Sequence, residues 1–175
     1  MLSTFRNFAE KSAKLLRLGK KRTKFFVLLS TFRNFVARKR EELMKYCFET
    51  RMAVRDYECD IEGIVNNANY LHYCEHTRHL FLKECGLSFA EMHQKGVDAV
   101  VARMSMQFKV PLRPDDEFVS RMGLTKEGIK YVFHHDIFRA ADNQLCFRGK
   151  VELVCLVNGR LGQSEDYDKA FARYL

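Results

Sequence analysis

The chain has no tryptophan and only two prolines, and among its six cysteines no two stand in a C-x-x-C pair. A zinc or disulfide framework would want closer pairing than Cys47, Cys59, Cys74, Cys85, Cys146 and Cys155 provide, and no secretory signal precedes them. Free thiols in a reducing, cytoplasmic setting are the simplest reading. Also missing is any hydrophobic run near the ~20 residues that cross a bilayer; Phe25-Phe26-Val27-Leu28-Leu29 falls far short. No G-x-S-x-G elbow, glycine-rich phosphate loop or dinucleotide fingerprint occurs, so serine-nucleophile and nucleotide-binding chemistries have no motif here, and no cofactor or nucleic-acid partner is expected. No histidine lies between Met1 and Tyr70.

Acidic residues are scarce in one segment only. Residues 1–43 hold 12 Lys/Arg against 3 Asp/Glu, whereas residues 44–175 hold 18 against 19, so the formal charge of +8 belongs to the leader. Within it, Leu2-Ser3-Thr4-Phe5-Arg6-Asn7-Phe8 recurs unchanged as Leu29-Ser30-Thr31-Phe32-Arg33-Asn34-Phe35, a local duplication but too few copies for a solenoid. The leader reads in three ways: a basic face for an anionic surface, an organelle transit peptide, or an extension ahead of a domain that opens at Met44. The third is preferred, with residues 1–43 helical or poorly ordered and a helix over 30–43 carrying Phe32, Phe35 and Val36 on one side. A chain of this length then has room for one folded domain, 44–175.

Periodicity in that domain gives an α+β pattern. Residues 45–57 alternate as a half-buried strand, Asn67–Cys85 carries Tyr70, Tyr73, Cys74, Thr77 and Phe81 at helical spacing with Gly86 placed to end it, and Ser88–Gln94 reads as a short helix. Strands follow at 102–110, 117–125, 129–139 and 144–157, separated by the turn at 111–116 and by turn residues near Gly128 and Asn143. One strand, one long helix and a run of antiparallel strands require the sheet to bury the helix.

The chemistry concentrates where the first strand breaks. Asp60 precedes Gly63, and the paired asparagines Asn66 and Asn67 open the long helix, so a carboxylate stands beside a helix start. Such a terminus offers unpaired N–H groups and partial positive charge that polarise a carbonyl oxygen. The pattern points to acyl transfer to water, although aspartate is also common in turns and asparagine is a good N-cap.

These residues carry a resemblance. Cys59-Asp60-x-x-Gly63-Ile64-Val65, then Asn69-Tyr70-Leu71 and Glu75-His76-Thr77-Arg78, and faintly Pro111–Asp116, resemble the 4-hydroxybenzoyl-CoA thioesterase family of acyl-CoA thioesterases. The resemblance implies the hotdog fold, hydrolysis of an acyl-CoA or acyl-ACP, Asp60 as catalytic carboxylate, and the Asn67 N–H facing the thioester carbonyl. Around the substrate it implies Gly63, Val65, Asn66, Tyr70 and Glu75, and it implies a homodimer or homotetramer joined edge to edge with sites at the subunit boundary. The chain departs from the family at Asn67, where an aromatic residue or histidine is common, and at Ala53. Plant acyl-ACP thioesterases share the paired asparagines but carry asparagine and histidine where this chain has Glu62 and Ile64, so a histidine mechanism of that kind is not expected. A dehydratase of the same fold would need a histidine in the loop before the helix.

Other candidates have plainer readings. His72-Tyr73-Cys74-Glu75-His76 matches the H-x-x-E-H zinc signature but lacks a third ligand in context, so His72, His76 and His79 read as a polar helix face and no metal is expected. Cys59 has no histidine partner and reads as packing. Arg103, Lys109 and Arg113 are candidates for CoA phosphates. The remaining alternative is a non-catalytic acyl-thioester binding module, held at a membrane by the leader.

Overall fold

Strand alternation and helix periodicity resolve into one curled sheet around one long helix. In the computed structural model, residues 46–175 are described: β1 (Phe48–Ala53), a 3-10 turn (Asp56–Glu58), α1 (Asn67–Glu84), α2 (Phe89–Gln94), β2 (Val97–Phe108), β3 (Glu117–Glu127), β4 (Lys130–Arg139), β5 (Leu145–Val157), β6 (Arg160–Gly162) and α3 (Glu165–Phe171). The leader with its repeat, the helix expected over 30–43 and the Met44 boundary lie outside the described residues. No helix among the described residues is long and apolar enough to cross a membrane.

All strand pairings are antiparallel, in the order β1-β3-β4-β5-β2, with β6 added to the end of β5. The register places Phe118, Ser120, Met122 and Leu124 of β3 in line with Ile137, His135 and Phe133 of β4 and with Phe147, Gly149 and Val151 of β5. With successive side chains on opposite faces, these positions share the face that α1 packs on. This is the hotdog arrangement that the resemblance implies. Gly149 stands across the ladder from His135, and a Cβ there would lie 2.8 Å from the Phe147 ring. Only glycine lets that ring sit so close.

α1 begins at an Asn66 cap, whose Oδ1 accepts from Ala68 N, and ends with Gly86 N–H donating to Lys83 O and Leu87 N–H to Leu82 O. Its buried face joins two apolar clusters. Tyr70, Tyr73 and Cys74 pack with Val65, Leu112, Phe118 and Phe147 in one; Phe81 and Leu82 pack with Met122, Phe133, Tyr167 and Phe171 in the other. At ~1.5–3 kcal/mol per large side chain buried, these clusters supply the main drive for wrapping the sheet. Between them along the helix lies a polar layer: Thr77 Oγ1 bonds Ser120 Oγ at 2.8 Å, and Arg78 Nη1 lies 3.4 Å from His135 Nε2.

Three expectations need correction. The first strand covers only 48–53, because Glu58 accepts from Arg55 N–H at 2.7 Å and turns Asp56–Glu58 into a 3-10 segment. β2 starts at Val97 rather than 102 and ends at Phe108; a bulge between Val101 and Arg103 leaves Ala102 out of register, and the strand lies at the sheet edge with Val100, Val101, Met104, Met106 and Phe108 37–52% exposed. β6 and α3 were not expected. α3 is capped by Ser164 Oγ accepting from Tyr167 N–H and buries Tyr167 and Phe171.

Candidate active site

Asp60 stands in a tight loop closed at both ends. Cys59 and Val65 form a β-bridge, Asp60 N–H donates to Ile64 O at 3.0 Å, and Gly63 N–H returns to Asp60 O at 3.0 Å. Gly63 has φ +68°, a left-handed conformation that favours glycine. One carboxylate oxygen of Asp60 accepts from Glu62 N–H at 3.1 Å; the other accepts nothing among the described residues. The side chain is half-buried, while its neighbour Ile61 is 98% exposed and Tyr57 is 79% exposed.

The loop is fastened to the start of α1 by a residue that the sequence reading passed over. Glu58 C=O accepts from Asn66 N–H at 2.9 Å and from Asn69 Nδ2 at 2.6 Å, and its buried carboxylate accepts from Tyr73 O–H at 2.7 Å and from Arg55. Burial and that carboxylate push the Tyr73 phenol well above its ordinary pKa, so it stays a donor. Asn66 therefore caps the helix, and Asn67 is its exposed first residue. The Asn67 N–H has no acceptor among the described residues, as the first N–H groups of a helix do. Val65 is buried, and its N–H donates to Leu112 O at 2.9 Å. Tyr70 is core: it stacks on Phe147 and accepts from Leu112 N–H through its hydroxyl. Gly63 and Val65 thus belong to the loop that holds Asp60, Asn66 and Asn67 to the helix start that Glu58 ties to it, and Tyr70 to the core under Leu112.

Glu75 is placed elsewhere. It lies eight residues along α1 from Asn67, ~12 Å at 1.5 Å per residue, where it lines a cavity of about 240 Å³ with Arg78, His79, Val101, Phe133 and Leu153. Glu75 and His79 are exposed and 4.0 Å apart. Arg78 is buried; the resemblance includes it without a role, and the polar layer it forms with His135, 57 residues away, is what singles it out. Burial lowers the pKa of Arg78. Burial, then the nearby charge of Arg78, then His134, holds His135 well below its ordinary 6.5.

The remaining candidates carry less. His72 and His76 lie on the exposed face of α1, and among the described residues no three His, Cys, Asp or Glu side chains converge as metal ligands. All six cysteines are free, and burial pushes the Cys59 thiol up, away from the thiolate a nucleophile needs. Arg103, Lys109 and Arg113 are exposed, on β2 and the loop after it.

Known proteins bear on this geometry. The chain is 35% identical over 111 residues to a chloroplastic acyl-acyl carrier protein thioesterase of Arabidopsis thaliana, covering 63% of this chain but only 58% of that protein. A putative acyl-CoA thioesterase of Bacillus subtilis is 30% identical over 104 residues, 59% of this chain and 75% of the relative. In fold, it superposes on a 1,4-dihydroxy-2-naphthoyl-CoA thioesterase from Synechocystis with a TM-score of 0.68 at 18% identity, covering 71% of this chain and 95% of that one. Since the profile of the Thioesterase-like superfamily matches residues 54–175, well over half its length, the chain belongs to that superfamily.

Proposed function

We propose that this protein hydrolyses an acyl thioester, an acyl-CoA or acyl-ACP, to a free carboxylic acid and a thiol, with Asp60 as the catalytic carboxylate. The observation that supports the reading is the fastening of the Asp60 loop to the first turn of α1 through Glu58, so that one short segment carries both a carboxylate with one uncommitted oxygen and the open Asn67 N–H. A thioester carbonyl oxygen bound at that N–H gains negative charge as the carbonyl carbon is attacked, and a helix N-terminus stabilises that charge. Asp60 either attacks the carbon itself, expelling the thiolate and leaving a mixed anhydride that water cleaves, or takes a proton from the water that attacks. Single turnover in labelled water bears on the choice: label in the Asp60 carboxylate marks the covalent route, whereas label confined to the product acid fits the base or attack of water on the acyl carbon of the anhydride, which trapping of the anhydride then separates.

The names of relatives support the substrate class: a thioesterase acting on acyl carrier protein in Arabidopsis and a putative acyl-CoA thioesterase in Bacillus subtilis. The exposed Ile61 and Tyr57 beside Asp60, with the apolar edge of β2, support a homodimer or larger homo-oligomer that covers both. Thiol release is the test, read over acyl-CoA and acyl-ACP panels of graded chain length. Turnover of a subset bears the reading out. Binding of acyl thioesters without thiol release overturns it in favour of a binding module.

A further inference from the structure

The cavity beside α1 is bordered by a buried cation that makes no close ion pair among the described residues; the charge of the exposed Glu75, on the same cavity wall, reaches it only at longer range. Arg78 is only 7% exposed and forms part of the cavity wall, among Leu82, Val101, Phe133 and Leu153. A guanidinium carries five N–H donors and no acceptor. Among the described residues its one hydrogen-bond partner is His135 Nε2 at 3.4 Å, and no carboxylate lies within ion-pair distance; Glu75, one turn away and exposed, lies 4.0 Å from His79 and acts on Arg78 only through its longer-range charge. Because Arg78 can only donate, Nε2 accepts and the ring proton sits on Nδ1, which makes no hydrogen bond. His135 is fully buried and held neutral, so it can brace the guanidinium without competing for an anion.

Buried charges in folded proteins are paired, and buried donors are satisfied. Here the spare donors border a cavity whose other walls are largely apolar, the usual composition of a ligand pocket with a few placed polar groups. At about 240 Å³, and at ~30 Å³ per water-sized group, it takes on the order of eight such groups. That suits part of an acyl chain, not a carrier.

We propose that Arg78 is a specificity-determining residue, and that the thioester hydrolysed by this protein bears an acceptor oxygen on its acyl chain beyond the thioester, as a hydroxyl, oxo or carboxylate group, which the guanidinium binds while the surrounding apolar walls take the carbons. This rests on the thioesterase reading for its substrate class but not on Asp60 or on turnover. A plain saturated chain entering the cavity would leave the guanidinium unpaired and desolvate it further, and a site with an unmet polar group rejects such a ligand.

The test uses the full chain and matched S-(2-oxoalkyl)-CoA analogues, which cannot be hydrolysed, with chains of about six to ten carbons, plain or carrying a hydroxyl, oxo or carboxylate group at successive positions. Calorimetry should show one or more substituted analogues bound at least about tenfold more tightly than the plain chain of equal length. Arg78→Met should bind both alike. Arg78→Lys, which keeps the charge, should retain part of the preference; its fold and that of Arg78→Met are checked by circular dichroism, and Arg78→Lys decides the matter if Arg78→Met does not fold. Equal affinity in the unmodified protein, no binding of either analogue, or a preference that survives in Arg78→Met or is lost from a folded Arg78→Lys overturns the proposal. The same substrates as hydrolysable acyl-CoAs separate the two readings: turnover without preference removes the Arg78 assignment alone, and preference without turnover removes the hydrolase reading alone.

Discussion

The two polar regions along α1 are built on opposite principles. At the helix start, Glu58 is tied to Arg55, Asn66, Asn69 and Tyr73, while among the described residues one Asp60 oxygen and the Asn67 N–H stay uncommitted. Midway, Arg78 and His135 are deeply buried, yet His135 Nδ1 has no partner and Arg78 has a single hydrogen-bond partner among the described residues. Saturated surroundings fix a position, as bond-making requires. Unmet donors in an apolar recess mark a place where a ligand completes the hydrogen bonding.

If chemistry belongs to the first region, Asp60→Asn should lower kcat by ~10²–10⁴-fold, the range for loss of an acid–base group, with little change in unfolding temperature. Activity surviving within a few-fold would move the chemistry toward Glu75 and His79 at the cavity and break the contrast. Next in size is the fastening itself. Tyr73→Phe removes the 2.7 Å hydrogen bond to the buried Glu58 carboxylate and should destabilise the fold by about 1.5–3 kcal/mol, as for hydrogen bonds to charged groups, read from urea denaturation together with a fall in turnover. An unchanged midpoint would show that Glu58 needs no such anchor.

The second region should respond to acid. His135 has a depressed pKa in the folded state, so the unfolded chain takes up its proton first. Its contribution to stability is intact above pH 6.5 and is lost as pH falls below that value toward the folded pKa. The loss grows with each step in pH below 6.5 until the folded-state pKa is reached. His135→Gln should flatten that limb of the stability profile; an equally steep limb would assign the acid sensitivity elsewhere. The smallest effects sharpen the first region: Asn66→Ala should cost about 1 kcal/mol of stability as a lost cap, whereas Asn67→Ala keeps its backbone N–H and should leave kcat within about twofold. A large kcat loss in Asn67→Ala alone would mean that its side chain, not its amide, meets the substrate.

What was legible in the sequence was what is local. Asp60, Gly63 and the asparagines lie within eight positions, so loop and cap chemistry could be read directly, and strand alternation gave the sheet because one face is buried against α1. Glu58 escaped because its role depends on Tyr73, which reaches it only once the helix docks. Arg78 stood in the resemblance without a role because its meaning comes from its burial and from His135, brought opposite by β4 pairing, which only three-dimensional packing reveals. α3 did leave a trace, Ser164 followed by Glu165 and Asp166, in a segment too short for periodicity to register.

β2 is twelve residues long and, among the described residues, pairs along one side only, with β5. Its open edge, flanked by Met104, Met106 and Phe108, offers a template to whichever chain arrives first. Should copies of the chain pair through this edge, assembly and misassembly would draw on the same strand, and the outcome during synthesis would be a race set by how fast properly folded copies meet.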